Sequence, residues 1–166
     1  MSGKDKVCTI SGLRPHKLPM ELNLALLLNK LEYEIRKSIF LGFTTFQTGM
    51  AMGVDIWAAE IILKLKEKFP DIRLICYLPC ETQADRWLVD WREEYINILT
   101  KADEVICLQM NYTTGCMQRR NQKMIDSSSR LIAVHDLSSS GGTAQTIYYA
   151  RKQGLDVVII NPYECM

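Results

Sequence analysis

The most constraining feature of this sequence is a regular alternation between short apolar segments and longer amphipathic segments. Six short segments are rich in apolar and β-branched residues, which is typical of buried strands. Between them, apolar side chains recur every three to four residues, as on one face of a helix. The pattern predicts strands over residues 6–11, 44–48, 73–78, 104–108, 131–135 and 157–160, and helices over about 19–37, 54–69, 87–98, 114–126 and 143–153.

This alternation predicts an α/β fold with a doubly wound, mainly parallel six-stranded sheet that is flanked by helices. The continuous apolar runs LIAV at 131–134 and VVII at 157–160 support a parallel sheet, because its strands are buried on both faces. We find no linker, repeat or low-complexity segment among the 166 residues. We therefore expect residues 1–166 to form a single domain.

The composition is that of an ordinary globular domain, with 48% hydrophobic and 23% charged residues. The 20 basic and 19 acidic side chains leave a net charge of +1, which does not favour nucleic-acid binding through many phosphate contacts. The apolar stretches are shorter than the roughly 20 residues of a membrane helix. Residues 1–6 lack the apolar segment of a secretory signal. We therefore expect a cytoplasmic protein without a membrane partner.

The six cysteines do not indicate a metal site. Cys76 and Cys80 are separated by three residues, and neither His16 nor His135 is placed to complete a zinc site. Cysteines within apolar runs, such as Cys107, are typical of small buried side chains in a reducing compartment. We expect reduced cysteines, no bound metal and no resident cofactor.

The loops after the strands are the candidate sites, because ligands of doubly wound sheets bind beyond the carboxyl ends of the strands. The loop after the first strand contains Ser11, Gly12 and Arg14. Gly12 allows close backbone approach, and the planar guanidinium of Arg14 suits a phosphate or a carboxylate. The alternative is a simple turn with a solvated arginine.

The loop after the second strand leads directly into a helix and contains Gly49, Met50, Ala51, Gly53 and Asp55. Small residues at such a junction let a phosphate approach the unpaired N–H groups of the helix. The spacing matches neither GxGxxG nor a P-loop, so no dinucleotide fingerprint is indicated. Asp55 is either a ligand contact or a helix cap.

The loop after the fifth strand repeats this arrangement, with Gly141, Gly142 and Thr143 at the start of a helix. Two glycine-rich loops in one sheet favour a phosphate-bearing ligand more than either loop alone.

Polar residues also follow the third and fourth strands. Gln83 and Trp87 follow the third strand, where the indole could stack on a base or belong to the core. Arg120 and Asn121 lie on the helix after the fourth strand, near the place where an anionic ligand would sit.

Together these motifs resemble one group of proteins. The motifs are SGLRP at 11–15, GMAMGVDIWAAE at 49–60, PCETQADRW at 79–87, Tyr112 with RRN at 119–121, and GGT at 141–143. In this order and spacing they resemble the SLOG superfamily of Rossmann-like domains and, within it, the YpsA-type family. The segment TGMAMGVD at 48–55 is also similar to the SGLARGID loop of DprA, a single-stranded DNA binder of the same superfamily.

The resemblance implies a Rossmann-like fold, a homo-oligomer and a pocket for ligands related to ADP-ribose, NAD or cyclic nucleotides, often in bacterial or phage conflict. It also offers an enzyme interpretation, because the LOG branch hydrolyses nucleotide 5′-monophosphates with the motifs MxxRK and PGGxGTxxE. Here Arg120 stands at the arginine of the first motif and Asn121 at its lysine. Thr146 stands at the glutamate of the second motif.

The exchange at Thr146 argues against hydrolysis, because N-glycosidic cleavage needs a carboxylate to stabilise positive charge or to activate water. Asp55, Asp126 or Asp136 would have to supply it from elsewhere. We therefore expect a non-catalytic binder of a nucleotide-derived small molecule, acting as a sensor or a sequestering sponge. The alternatives are a LOG-like nucleotide phosphoribohydrolase and a DprA-like single-stranded DNA binder.

Overall fold

The expected Rossmann-like α/β fold is confirmed by the computed structural model, which describes residues 6–138 and 140–166. Its strands are β1 (Val7–Gly12), β2 (Thr45–Thr48), β3 (Arg73–Leu78), β4 (Glu104–Cys107), β5 (Arg130–Val134) and β6 (Asp156–Ile160). Its helices are α1 (Leu24–Phe40), α2 (Val54–Leu65), α3 (Val89–Lys101), α4 (Cys116–Asp126) and α5 (Gly142–Lys152). Short 3₁₀ turns are formed by Pro15–Lys17 and Pro162–Glu164.

The six strands are all parallel and lie in the order β4-β3-β2-β1-β5-β6. In sequence the chain first winds outward from β1 to β4, and then returns to β5 and winds outward to β6. Right-handed crossovers in opposite directions place helices on opposite faces of a sheet. Accordingly, α1 packs on α2 and α2 on α3, whereas α4 packs on α5. The winding therefore reverses between the neighbouring strands β1 and β5.

The sheet separates two apolar layers. The larger layer joins α1, α2 and α3 to the sheet and includes the fully buried Leu31, Phe46 and Ile62. The smaller layer lies under α5 and includes Ile125 and Ile147. Every residue of β5 is buried, as expected for a central strand of a parallel sheet.

A buried polar cluster anchors the C-terminal end of α4 to the two central strands. Thr9 Oγ1 lies 2.6 Å from Ser128 Oγ, and Gln47 Oε1 lies 3.1 Å from Thr9 Oγ1 and 3.2 Å from Ser128 Oγ. Thr9 belongs to β1 and Gln47 to β2. The cluster therefore fixes α4 on the sheet, with its first turns at the carboxyl ends of the strands.

Some local details differ from the sequence pattern. Helix α1 begins at Leu24 rather than near residue 19, because the Asn23 side chain caps it by accepting a hydrogen bond of 3.1 Å from the Leu26 N–H. Helix α3 begins at Val89, so Trp87 precedes it. The expectation that Cys107 is buried is wrong, because β4 is an edge strand and leaves this side chain exposed.

Residues 6–138 and 140–166 contain no helix with both the length and the apolar character needed to cross a membrane. Within the same residues, no group of three or more metal-binding side chains is found.

The amino end of the sheet is held by Arg130, whose side chain is 3% exposed. Its Nε donates a hydrogen bond of 2.9 Å to Ser38 Oγ on α1. The guanidinium also forms ion pairs with Asp156 and, at 3.6 Å, with Glu34. Arg130 thus ties α1 to β5 and β6, far from the carboxyl ends of the strands.

We expect Arg130→Met to lower the free energy of unfolding by roughly 3 kcal/mol, because it leaves the Glu34 carboxylate without its counter-charge. Urea unfolding measures this loss. The exposed Arg86 offers the matched control, since Arg86→Met is expected to change stability by less than about 0.5 kcal/mol. Equal stability of the two variants would contradict a structural role for Arg130.

Candidate functional site

A polar cleft of about 620 Å³ lies beyond the carboxyl ends of β1 and β5, where the winding reverses. This is the place where open α/β sheets bind ligands, and small-molecule sites occupy roughly 300–1,000 Å³. The loops after β1, β2 and β5 and the first turns of α2, α4 and α5 supply the walls. The predicted binding residues that line it are Ser11, Gly12, Arg14, Ala51, Asp55, Arg120, Asn121, Gly141, Gly142 and Thr143.

Four predicted binding residues lie behind the cleft wall. Met50 is fully buried in the apolar core and has a positive φ of 59°. Gly53 has a φ of +91°, and a Cβ on it would lie 2.9 Å from the Leu13 carbonyl oxygen. The Gln83 amide donates hydrogen bonds of 3.3 Å to the Gly49 carbonyl and 3.4 Å to the Met50 carbonyl. These residues shape and support the loop after β2.

Trp87 also lies outside the cleft. Its ring packs edge to face on Tyr95, with 5.1 Å between the ring centroids, and it adjoins the larger apolar layer. The structure therefore places this indole in the core rather than at a position where it could stack on a base. The sequence left both positions open.

Arg120 is the most deeply buried cation of the cleft wall, with 3% of the residue exposed. Its Nη1 donates hydrogen bonds to the Gly49 carbonyl and, at 3.2 Å, to Gln83 Oε1. Its Nε donates a hydrogen bond of 2.8 Å to Asn121 Oδ1. Burial lowers the pKa of the guanidinium, and the nearby Asp55 carboxylate opposes this effect. Arg120 thus joins the loop after β2, the segment after β3 and the start of α4.

Gly49 makes room for the side chain of Arg120. A Cβ on Gly49 would lie 2.6 Å from Cζ of Arg120, closer than nonbonded atoms come. The sequence pattern assigns Gly49 to phosphate approach, whereas in the structure its missing side chain makes room for the guanidinium. The two positions are 71 residues apart, and no local signal links them.

Asp55 brings a buried carboxylate to the cleft, with 5% of the residue exposed. Its Oδ2 accepts a hydrogen bond of 3.2 Å from the Ala51 N–H. Its Oδ1 is buried and has no hydrogen-bond partner among the described residues. Burial raises the pKa of the carboxyl from 3.8 to about 6, although the charges of Arg120 and Arg14 and the backbone N–H groups of Ala51 and Gly12 counteract it. Asp55 follows the N-cap position, which Gly53 occupies, so it does not cap α2 in the usual way.

Lys17 is a cleft residue that is not among the predicted ones. Its Nζ lies 3.5 Å from the place that a Cβ on Gly141 would take. Gly141 is the N-cap of α5, and no side-chain cap is found there among the described residues. The ammonium therefore lies beside the positive end of a helix dipole. Lys17 takes part in none of the ion pairs between described residues. The only sequence signal for it is a basic residue just after the loop of Arg14.

Asp136 is the second carboxylate of the cleft, and its environment differs from that of Asp55. Its Oδ1 accepts a hydrogen bond of 3.0 Å from the Ser138 N–H. Hydrogen bonds from Ser138 lower the pKa of this carboxyl below its usual value. The remaining unpredicted lining residues are Leu13, His16, Met117, Ser138 and Ser140.

His135, Ser138 and Asp136 come together after β5 without forming a nucleophile with its base. The Leu137 N–H donates a hydrogen bond of 3.1 Å to His135 Nδ1, so the proton of the neutral ring is on Nε2. Ser138 Oγ lies 3.5 Å from this same Nε2. A nitrogen that carries the proton does not take one from serine, so the geometry lacks the general base of a triad.

Thr146 supplies no catalytic group to the cleft. It is 3% exposed, and its hydroxyl donates a hydrogen bond of 2.9 Å to the Gly142 carbonyl. The Thr146 side chain therefore forms a hydrogen bond within α5 and stabilises the first turn of this helix.

The YpsA family model, described as the YspA SLOG family, matches residues 8–164. The chain belongs to this family. The resemblance of the sequence motifs is therefore confirmed.

Two similar proteins are both named UPF0398 protein. One from Bacillus cereus (strain G9842) is 31% identical over 130 residues, which is 72% of this chain and 71% of the relative. One from Halalkalibacterium halodurans is 27% identical over 169 residues and covers 96% of this chain and 89% of the relative.

A solved structure of DNA processing protein A from Helicobacter pylori, described for its single-stranded DNA binding mode, also resembles this fold. The TM-score is 0.59 at 18% identity, and the match covers 92% of this chain and 64% of that chain. At this identity the similarity shows a shared fold.

We expect Asp55→Asn to stabilise the unliganded protein at neutral pH. The pKa of Asp55 is raised to about 6 in the folded state, so its ionised form opposes folding, increasingly as pH rises from 4 to 6. The substitution should add up to roughly 3 kcal/mol at pH 7.5 and less than about 1 kcal/mol at pH 4. Urea unfolding at the two pH values measures both numbers.

Asp136→Asn is the matched control for this experiment. Because the pKa of Asp136 is lowered on folding, its ionised form favours the folded state, and its loss should destabilise the protein at pH 7.5. Effects of the same sign for both variants would contradict the different environments of the two carboxylates.

Proposed function

We propose that this protein binds a phosphate-bearing, nucleotide-derived small molecule in the cleft at the winding reversal. The observation that carries the proposal is the ammonium of Lys17 beside the N-terminus of α5, at 3.5 Å from the Cβ position of Gly141. The ammonium and the positive end of the helix lie on the same part of the cleft, where both would attract an anion. Arg14 and Arg120 line the same cleft and extend its positive side.

The size and lining of the cleft favour a nucleotide derivative over a small inorganic anion. About 620 Å³ accommodates more than a phosphate. Ser11, Ser140, Thr143 and Asn121 add uncharged hydrogen-bonding groups along its walls. Such groups suit the sugar and the base of a ligand whose phosphate lies near Lys17. ADP-ribose, NAD-related molecules and cyclic nucleotides are the ligand classes that we propose.

Binding without turnover is supported by the side chains around the cleft. The Thr146 hydroxyl is engaged in a hydrogen bond within α5. The His135 ring accepts a hydrogen bond at Nδ1, so its proton is on Nε2, the nitrogen nearest Ser138 Oγ. A protein of this kind acts on its ligand by sensing it or by removing it from solution. A role in bacterial or phage conflict and assembly into a homo-oligomer are parts of the same proposal.

Single-stranded DNA is the second candidate ligand, because DNA processing protein A has a similar fold and was described for its single-stranded DNA binding mode. The net charge of +1 and the carboxylates of Asp55 and Asp136 in the cleft favour the small molecule over a polyanion. An oligodeoxynucleotide is therefore included in the binding experiments below.

We expect ADP-ribose, NAD or a cyclic nucleotide to raise the melting temperature, since a ligand at about 100 times its Kd adds about 2.7 kcal/mol to stability. Lys17→Met should weaken the binding of the active compound by 1.5–3 kcal/mol, or about tenfold to a hundredfold, because it removes a charge-assisted hydrogen bond. Thermal shift followed by calorimetric titration measures both effects.

The exposed Lys123 on α4 provides the matched control, because Lys123→Met makes the same change of charge outside the cleft lining. Its affinity should equal that of the unchanged protein. No thermal shift with any of these compounds would refute the proposed ligand class. Tighter binding of a thymidine oligomer than of every small molecule would favour DNA.

We expect AMP, NAD and ADP-ribose to remain intact during hours of incubation with the protein. Chromatography of the mixtures measures any released base. Steady release that disappears in Asp55→Asn would overturn the assignment as a binder and would identify the protein as a hydrolase.

A further inference from the structure

A groove of about 410 Å³ lies between helix α5 and the segment that follows β5. Ser138 lines both this groove and the cleft, so the two cavities adjoin each other. The groove is therefore placed to hold another part of a ligand that binds in the cleft. Its described lining residues are His135, Leu137, Ser138, Ala144, Gln145, Ile147, Tyr148 and Arg151.

The groove and the cleft differ in the chemistry of their walls. The described lining residues of the cleft include two carboxylates and no Phe, Tyr or Trp. Its polar groups can contact the edges of a base, but the faces of a base stack on rings, apolar side chains or guanidinium planes. The groove offers the Tyr148 ring, the Arg151 guanidinium and the apolar Leu137 and Ile147, with no carboxylate among its described lining residues. Its lining therefore suits the faces of a flat aromatic group.

Two large apolar side chains of the groove are exposed to solvent. Tyr148 is 65% exposed, and the Lys152 ammonium restrains its ring by a cation–π contact at 5.4 Å from the centroid. Leu137 is 62% exposed and has a positive φ of 68°, which strains the backbone of a bulky residue. Strained positions of this kind are typical of functional sites. A ligand in the groove would cover both side chains.

The distance along α5 fits one ligand that spans both cavities. The anion-attracting end of the cleft is at Lys17 and Gly141, and Tyr148 lies seven residues after Gly141. A rise of 1.5 Å per residue separates these two positions by about 10 Å along the helix. A nucleoside monophosphate has a comparable length from its phosphate to the far edge of its base.

Two polar side chains of the groove suit the edge of a purine. An amide such as that of Gln145 can pair with N6 and N7 of adenine, and a guanidinium such as that of Arg151 can pair with O6 and N7 of guanine. Both groups recognise the imidazole side of the ring system, which pyrimidines lack.

We infer that the groove binds the purine base of the ligand, with the base stacked on Tyr148, while the phosphate lies in the cleft near Lys17. This inference rests on the proposed function, because it places the base of the same ligand. The groove then contributes the part of the affinity that depends on the base, and the cleft contributes the part that depends on the phosphate.

The test compares AMP and GMP with ribose 5-phosphate by calorimetric titration of the full chain. Ribose 5-phosphate has the sugar and the phosphate without a base, so at least one nucleotide should bind about tenfold more tightly. In Tyr148→Ala the affinity for that nucleotide should fall at least about fivefold, because the stacking surface is lost. The affinity for ribose 5-phosphate should stay unchanged, since its two groups lie in the cleft.

Tyr148→Phe keeps the ring and should keep the affinity for the nucleotide. Tyr33→Ala is the matched control, because it removes an equally exposed tyrosine from α1, outside the lining of both cavities. It should leave every affinity unchanged. An affinity that falls equally in Tyr148→Ala and in Tyr148→Phe would contradict stacking on this ring.

The remaining outcomes separate this inference from the proposed function. Equal affinities for ribose 5-phosphate and both nucleotides overturn the inference and leave phosphate binding in the cleft intact. Unchanged nucleotide affinity in Tyr148→Ala overturns the role of the groove, and a simultaneous fall in molecular mass in solution would assign the groove to a contact between copies of the chain. Binding of ADP-ribose without AMP or GMP also contradicts the inference. The absence of binding by all nucleotides and by ribose 5-phosphate overturns the proposed function itself.

Discussion

The buried guanidinium of Arg120 is the interaction on which the site depends. It joins three separate segments, through the Gly49 carbonyl, the Gln83 side chain and the Asn121 side chain. A buried charge is tolerated when its donors are satisfied, and arginine offers five of them in one plane. Gly49 lets this group approach the backbone, and the Thr9 cluster holds α4 in the position that delivers it. Arg120 thus links α4 to the segments that follow β2 and β3.

The same cleft contains a charged group that opposes folding in the unliganded protein. The Asp55 carboxyl is buried, and its pKa is raised to about 6 because burial disfavours the ionised form. This arrangement persists because the two apolar layers and the hydrogen bond and ion pairs of the buried Arg130 stabilise the fold around it. Unfavourable local electrostatics of this kind are typical of binding sites, where a ligand supplies the missing partners.

The sequence predicted features that depend on local pattern and missed features that depend on contacts between distant side chains. The strand Arg73–Leu78 has the same bounds in the structure as in the sequence prediction, because the continuous apolar run ends at Pro79. Helix α1 begins later than predicted because the Asn23 side chain caps it, and apolar periodicity does not reveal such a cap. For Trp87, helical spacing fits a core position and a stacking position equally well, and only its contact with Tyr95 separates them. No sequence motif marks Lys17 as a cleft residue, because its place near Gly141 is set by the tertiary structure.

The sequence by itself determined the alternation of strands and helices, the parallel sheet, and the loops that carry polar residues, because periodicity and burial are local properties of a chain. The family follows from the same motifs. Only the tertiary structure decided that Gly49 lies against the Arg120 guanidinium, that the Asp55 carboxyl is buried in the cleft wall, and that the Lys17 ammonium lies near Gly141. These facts depend on distances between segments far apart in sequence, and such distances are fixed by the strand order and by packing of the helices on the sheet.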